Sequence, residues 1–254
     1  MGMMQSVFDS SWFTFFFSTL LFLFIGSGIL YASLYKKKNK WESSGIENSV
    51  VGIFGLIISF TFLQAGNSHR ERYAYIHREA NNIEMLYHYS KEMPDSFYKQ
   101  TKIFLMAFLN NQLTYKEQAN DEQFLFNAKQ IADLYWSDLE YYKKQNTNWT
   151  NQLNKISDCF DEIRLSFLLN AYSYSERTPP LVMFLLVTMS LLIGFLVGFM
   201  NGIKSKIHYL VPLIYFVMIT LTMMVITDLN NPLGGLIKPN YHHLKITYEY
   251  IKNN

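Results

Sequence analysis

Cysteine is almost missing from this chain. Cys159 stands alone among 254 residues, which excludes an intrachain disulfide framework. Its helical neighbours make it a small core residue. Charge of one sign is missing too: 22 Lys and Arg face 20 Asp and Glu, a formal net charge of +2. Nothing in that balance calls for nucleic acid or an acidic substrate. Enzyme signatures are absent as well. There is no GxSxG, HExxH, glycine-rich phosphate loop or paired-cysteine motif, so no catalytic residue, metal or cofactor is expected. The most telling absence is local. Four windows contain no Lys, Arg, Asp or Glu, in a chain that is 50% hydrophobic and 17% aromatic. Such a mixture points to separate membrane and water-facing parts rather than one core.

The windows are Trp12 to Tyr35, Asn48 to Gly66, Pro179 to Met200 and Tyr209 to Thr227. The first has 24 residues, which as a helix reach about 36 Å. A hydrocarbon core of about 30 Å needs roughly 20 residues, so each window reads as a membrane span. A Lys, Arg or Asp at a span's centre would cost about 2.5–3.5 kcal/mol, and none is present. No basic residue precedes the first window, and it stops at Lys36-Lys37-Lys38, as a retained anchor does. The start MGMMQS formally fits an acylation pattern through Gly2 and Ser6, but four spans leave such an anchor little to add.

The spans come in two pairs, expected in 1–66 and 178–228, with a polar segment over 67–177 and an interfacial turn and tail over 229–254. The polar segment has 13 Lys or Arg, 15 Asp or Glu and a single proline, Pro94. Trp149, Leu153, Ile156, Phe160, Ile163 and Phe167 alternate steps of four and three, the seam of a helix packed on helices. No alternating strand pattern is flanked by hairpin turns. The expected fold is therefore all-α: four transmembrane helices in two pairs, with a soluble helical bundle inserted between them. Within the bundle, helices are expected over about 68–93, from Asp95 or Ser96 to about Leu113, from Asn120-Asp121 to about Lys144, and from Thr147 or Asn148 towards Arg177. Little separates the second span from the first polar helix at Gly66-Asn67. One unbroken rod of roughly 45 residues, about 65–70 Å long, is a natural outcome. Orientation stays balanced. Lys36, Lys37, Lys38, Lys40, Lys204 and Lys206 flank one side, six in all. Arg70, Arg72, Arg78, Arg164, Arg177, Lys238 and Lys245 flank the other, seven in all.

Side chains of metal-binding type do not assemble. Glu84 and His88 share a helix face without a third ligand, and His242-His243 would diverge by about 100° on a helix. Asp158, Asp161 and Glu162 read as a solvated face. Packing signals in the spans are clearer. Ser190, Gly194 and Gly198 recur every four residues and let another helix approach, from this chain or another copy. Gly52 and Gly55 are similar, and Phe54, Ile58 and Phe62 form a stripe on the second span. Beyond the last span, Asp228 and Asn230-Asn231 sit at the membrane boundary, Pro232 ends the helix and Gly234-Gly235 permits a tight turn.

Three blocks resemble the bestrophin-like family: GIFGLIISFTFLQAGNSHRERYAYIHREANNI from Gly52, Arg177-Thr-Pro-Pro with its following span, and DLNNPLGGLIKP from Asp228. A fainter likeness links the chain to bestrophins proper, pentameric anion channels with a largely helical cytosolic domain. There the second span runs into an arginine-containing helix, and three apolar residues at spacing four form a hydrophobic neck. If Arg70 takes that arginine's place, the resemblance assigns the neck to Phe54, Ile58 and Phe62. If Arg72 does, the register slips by two and those assignments fail. Asn231-Pro232-Leu233-Gly234 is similar to the bestrophin turn after the last span, but Leu236-Ile237-Lys238-Pro239-Asn240 replaces the acidic calcium cluster, so calcium gating is not implied. The resemblance implies a homo-oligomer in a bacterial inner membrane, with its helical domain on the cytosolic side, conducting anions through an apolar constriction. The rival reading is a non-conducting scaffold or sensor whose helical domain binds a protein partner.

Overall fold

A computed structural model describes residues 12–36, 45–115, 122–204 and 208–254. Gly2, Ser6, Lys37, Lys38, Lys40, Asn120-Asp121 and Lys206 lie outside them. Every regular element among the described residues is helical. The order is α1 (Phe13–Tyr35), α2 (Ile46–Lys91), α3 (Asp95–Tyr115), α4 (Glu122–Gln145), a 3-10 turn (Thr147–Trp149), α5 (Thr150–Ser173), α6 (Pro180–Gly202), α7 (Leu210–Leu229) and α8 (His242–Asn253). Among the described residues, α1, α2, α6 and α7 are long and apolar enough to cross a membrane. The second span and the first polar helix form one helix of 46 residues, since nothing at Gly66-Asn67 breaks the backbone ladder.

Several expected helix ends move by a few residues. Asp95 is the first residue of α3 rather than its cap. Thr147 and Asn148 do not cap α5. They form a 3-10 turn with Trp149, and α5 starts at Thr150 without a side-chain cap. The same helix stops at Ser173, short of Arg177. Pro180 occupies the first turn of α6, where its missing N–H costs nothing. The segment expected as a turn and tail over 229–254 divides: its last part is a helix, because Leu244, Thr247 and Ile251 recur on one face and are buried.

The chain separates into two compact units. One comprises residues up to Asn67 together with Arg177–Ile237, so it holds α1, the apolar part of α2, α6 and α7. Its α1–α6 contact is backbone against backbone. A Cβ on Gly28 would run into the Phe195 carbonyl, and one on Gly198 into the Ile25 carbonyl. At Gly202 it would lie 2.8 Å from the Ala32 side chain. Close approach matters here because lipid gives no hydrophobic drive to helix pairing, leaving dispersion contacts to hold the helices.

The other unit comprises Ser68–Glu176 and Lys238–Asn254. Its core is aromatic: Phe104 stacks on Tyr135 at 4.2 Å, and Phe160 meets both rings and that of Trp136. Leu153, Ile156, Phe160, Ile163 and Phe167 of the α5 seam are all buried. The C-terminal helix α8 lies against α3, and its Thr247 hydroxyl donates to Glu84 at 2.8 Å.

Candidate functional site

The apolar part of α2 is covered on one side only. Phe54, Thr61 and Ala65 are buried, and Phe54 joins the apolar cluster that α1, α6 and α7 supply. About 120–160° around the helix, Leu56 is 62% and Phe60 71% exposed, with Ile53 and Leu63 beside them. Gly52 and Gly55 have open space where a side chain would be. The stripe expected from the sequence winds across the boundary between these faces. Phe54 is 3% exposed, Ile58 is half-buried, and Phe62 is 45% exposed. The drift has a simple cause: a step of four residues is 400°, so each member turns a further 40° around the helix.

The two candidate arginines differ sharply. Arg70 is exposed, whereas Arg72 is wholly buried. The Arg72 guanidinium donates to the Ser173 carbonyl at 3.1 Å and the Glu176 carbonyl at 3.1 Å, and lies over the Tyr174 ring. Those carbonyls belong to the last turn of α5 and the chain just beyond it. Arg72 thus neutralises the negative end of that helix dipole and satisfies acceptors the helix leaves over.

The turn after α7 is a closed clasp. Both carboxylate oxygens of Asp228 are taken, accepting the Leu236 N–H at 2.6 Å and the Ile237 N–H at 2.8 Å. Asn231 Oδ1 accepts the Gly234 N–H at 3.2 Å, and the Gly235 N–H reaches the Asn231 carbonyl at 2.7 Å. A Cβ on Gly235 would stand 2.8 Å from the Asp228 carbonyl, so only glycine fits inside the clasp. Pro232 is buried at the bend. Asn230 secures the start of the third span. Its Oδ1 accepts the Thr178 N–H at 3.1 Å and hydroxyl at 2.9 Å.

Ser190, Gly194 and Gly198 face different neighbours. A Cβ on Gly194 or Gly198 would meet Ile25 of α1, so their partner is in the same chain. Ser190 is buried and its carbonyl accepts the Tyr215 hydroxyl of α7 at 2.7 Å. Glu84 and His88 gather no ligand set, and no group of three metal-binding side chains occurs among the described residues. His242 and His243 begin α8, and His243 packs edge-on against His77 at 4.3 Å.

Sequence reasoning passed over the buried polar residues of the second unit. Glu79 accepts from the Gln112 side chain, and Tyr174 and Tyr241 share a hydrogen bond of 2.6 Å. One signal was available. Arg72 and Glu79 fall in step with Ile76, Ala80, Ile83 and Leu86, all buried, on the inward face of α2.

The bestrophin-like domain matches residues 44–238. No curated protein matches. Among solved structures, a mutant bacterial bestrophin homologue from Klebsiella pneumoniae superposes with a TM-score of 0.72 at 10% identity, covering 94% of this chain and 98% of that one. A second mutant of a Klebsiella pneumoniae bestrophin homologue gives 0.71 at 11%, covering 94% and 96%. A mutant described as a membrane protein gives 0.73 at 10%, covering 94% and 97%. At such identities the likeness is one of fold.

Proposed function

This chain belongs to the bestrophin-like family of multi-pass membrane proteins, and from that premise we propose that it assembles with copies of itself into an anion channel. The uncovered face of α2 lines its narrow part. The observation that carries the reading is that face. α2 is packed on one side by its own chain and leaves a continuous apolar strip on the other, with Leu56 and Phe60 most prominent. A strip of this kind, repeated around an axis, makes a constriction that closes by dewetting and needs no charge. Residues buried in their own subunit do not reach such an axis, which favours Leu56 and Phe60 over Phe54. Their register agrees with Arg72, rather than Arg70, taking the place of the bestrophin arginine. The third position in that register is Gln64, a polar residue, so the apolar constriction here is two residues deep and opens on a polar end. The setting is a bacterial inner membrane with the second unit on its cytosolic side.

The test is chloride flux from vesicles holding the purified full chain, alongside its oligomeric state in detergent. Flux by the parent, raised by Leu56→Ala with Phe60→Ala, supports the proposal. A monomeric protein, or flux at the empty-vesicle level in both parent and variant, refutes it and leaves the scaffold reading.

A further inference from the structure

Glu79 lies in the part of α2 that belongs to the second unit, beyond the apolar span, and it has no exposure at all. An ionised carboxylate there needs a cation or a full set of donors. It has one donor, the Gln112 side-chain amide of α3, on Oε1. Oε2 meets no protein donor, and no Lys or Arg forms an ion pair with Glu79 among the described residues.

The surrounding elements supply hydroxyls and amides instead. Tyr174, just after α5, and Tyr241, just before α8, lie within electrostatic range of Glu79, and their hydroxyls bond to each other at 2.6 Å. Tyr241 also bonds the Asn170 side chain, whose Oδ1 is buried without a protein partner. Ser166 Oγ, one turn earlier on α5, is in the same state. Arg72 lies two turns earlier on the same face of α2 and donates to the Ser173 and Glu176 carbonyls. From α8, His243 is engaged with His77. These hydroxyls and amides can donate as well as accept, yet none of them donates to Oε2. Ionised, Glu79 leaves that oxygen bare; as a carboxylic acid it carries its own proton there, free to bond a neighbouring oxygen directly or through water.

We propose that Glu79 is a proton-binding site, occupied at neutral pH, whose neutral carboxylic acid holds α2, α3 and α5 together inside the second unit. The claim is independent of whether the protein conducts. Burial pushes this carboxyl up to about 8 from its ordinary 4.5, against the opposing pull of the Gln112 bond. Folding then takes up a proton. The stabilisation is complete below the unfolded value, shrinks as pH rises from about 4.5 towards about 8, and is gone above it.

The experiment is infrared difference spectroscopy of the purified full chain in detergent, parent against Glu79→Gln, between about pH 6 and pH 10. Thermal unfolding is followed over the same range. A protonated-carboxyl carbonyl band in the parent at neutral pH, lost on alkalinisation and missing from the variant, is the expected result. The parent's unfolding midpoint should fall by several degrees as pH rises, while that of Glu79→Gln stays level. Should Glu79→Gln not fold, Glu79→Asp serves, because it must shift the band. Absence of the band at neutral pH overturns the proposal, as does a band indifferent to either variant. A band seen only when sodium is withdrawn overturns it too, by making the occupant a metal cation.

Discussion

The two units bury opposite things. In the second, large side chains go inside: Leu105, Phe108, Leu109, Ile156 and Phe160 are covered while charged residues such as Asp95 and Lys99 stand out. In the first, the tightest contacts are made by residues with almost no side chain, Gly28, Gly198 and Gly202. Phe15, Phe16, Phe22 and Leu181 are left exposed. Hydrophobicity therefore reports position in the second unit and says nearly nothing about it in the first. In a membrane most outward positions are apolar as well, and hydroxyls lie on both sides (Ser27, Ser33 and Ser59 are exposed, Ser190 and Thr61 buried), so the inward face is marked chiefly by small size.

That contrast can be broken by substitution, and the largest effect is expected where backbones touch. Gly198→Leu or Gly28→Leu forces a side chain into a neighbouring carbonyl. Either should abolish recovery of monodisperse protein in detergent, whereas Gly52→Leu, in open space, should be recovered normally. Next comes Phe54→Ala, expected to destabilise by about 3 kcal/mol in denaturant-induced unfolding, against less than about 0.5 kcal/mol for Phe60→Ala. Equal losses at the two positions would erase the distinction between the faces of α2. Arg72→Met should cost about 2–3 kcal/mol, since the Ser173 and Glu176 carbonyls lose charge-assisted donors, while Arg70→Met on the exposed side should cost almost nothing. The smallest effect is expected at the clasp. Asp228→Ala frees two backbone N–H groups near water, about 1–2 kcal/mol, visible as faster proteolysis after the last span.

Much of this was legible from residues alone, for reasons the contrast explains. Uncharged windows located all four spans, because charge in lipid is expensive. The α5 seam from Leu153 to Phe167 could be read because amphipathic periodicity has meaning where water is the alternative. The small residues Gly194 and Gly198 were visible too, though their partner α1 was not, since spacing does not name the opposing helix. Phe54, Ile58 and Phe62 rest on spacing and a remote likeness, in a segment where almost any stripe is apolar. Only the packed neighbours separate Phe54 from Phe60. Glu79 and Arg72 were obscured by ordinary charge, although their step with Ile76 and Ile83 marked them as inward. The last helix, α8, was masked by its two histidines, which hid Leu244 and Ile251 behind them.

Whether the uncovered face of α2 lines a conducting path, as proposed, can be read in one experiment. Single cysteines are placed at positions 53 to 63 of a Cys159→Ser background, and chloride flux from vesicles is followed while a water-soluble thiol reagent is added. Flux altered at Leu56→Cys and Phe60→Cys, and indifferent at Phe54→Cys, is the result expected here. Modification of flux at Phe54→Cys and Ile58→Cys with silence at 56 and 60, or no flux in any of the proteins, would contradict it.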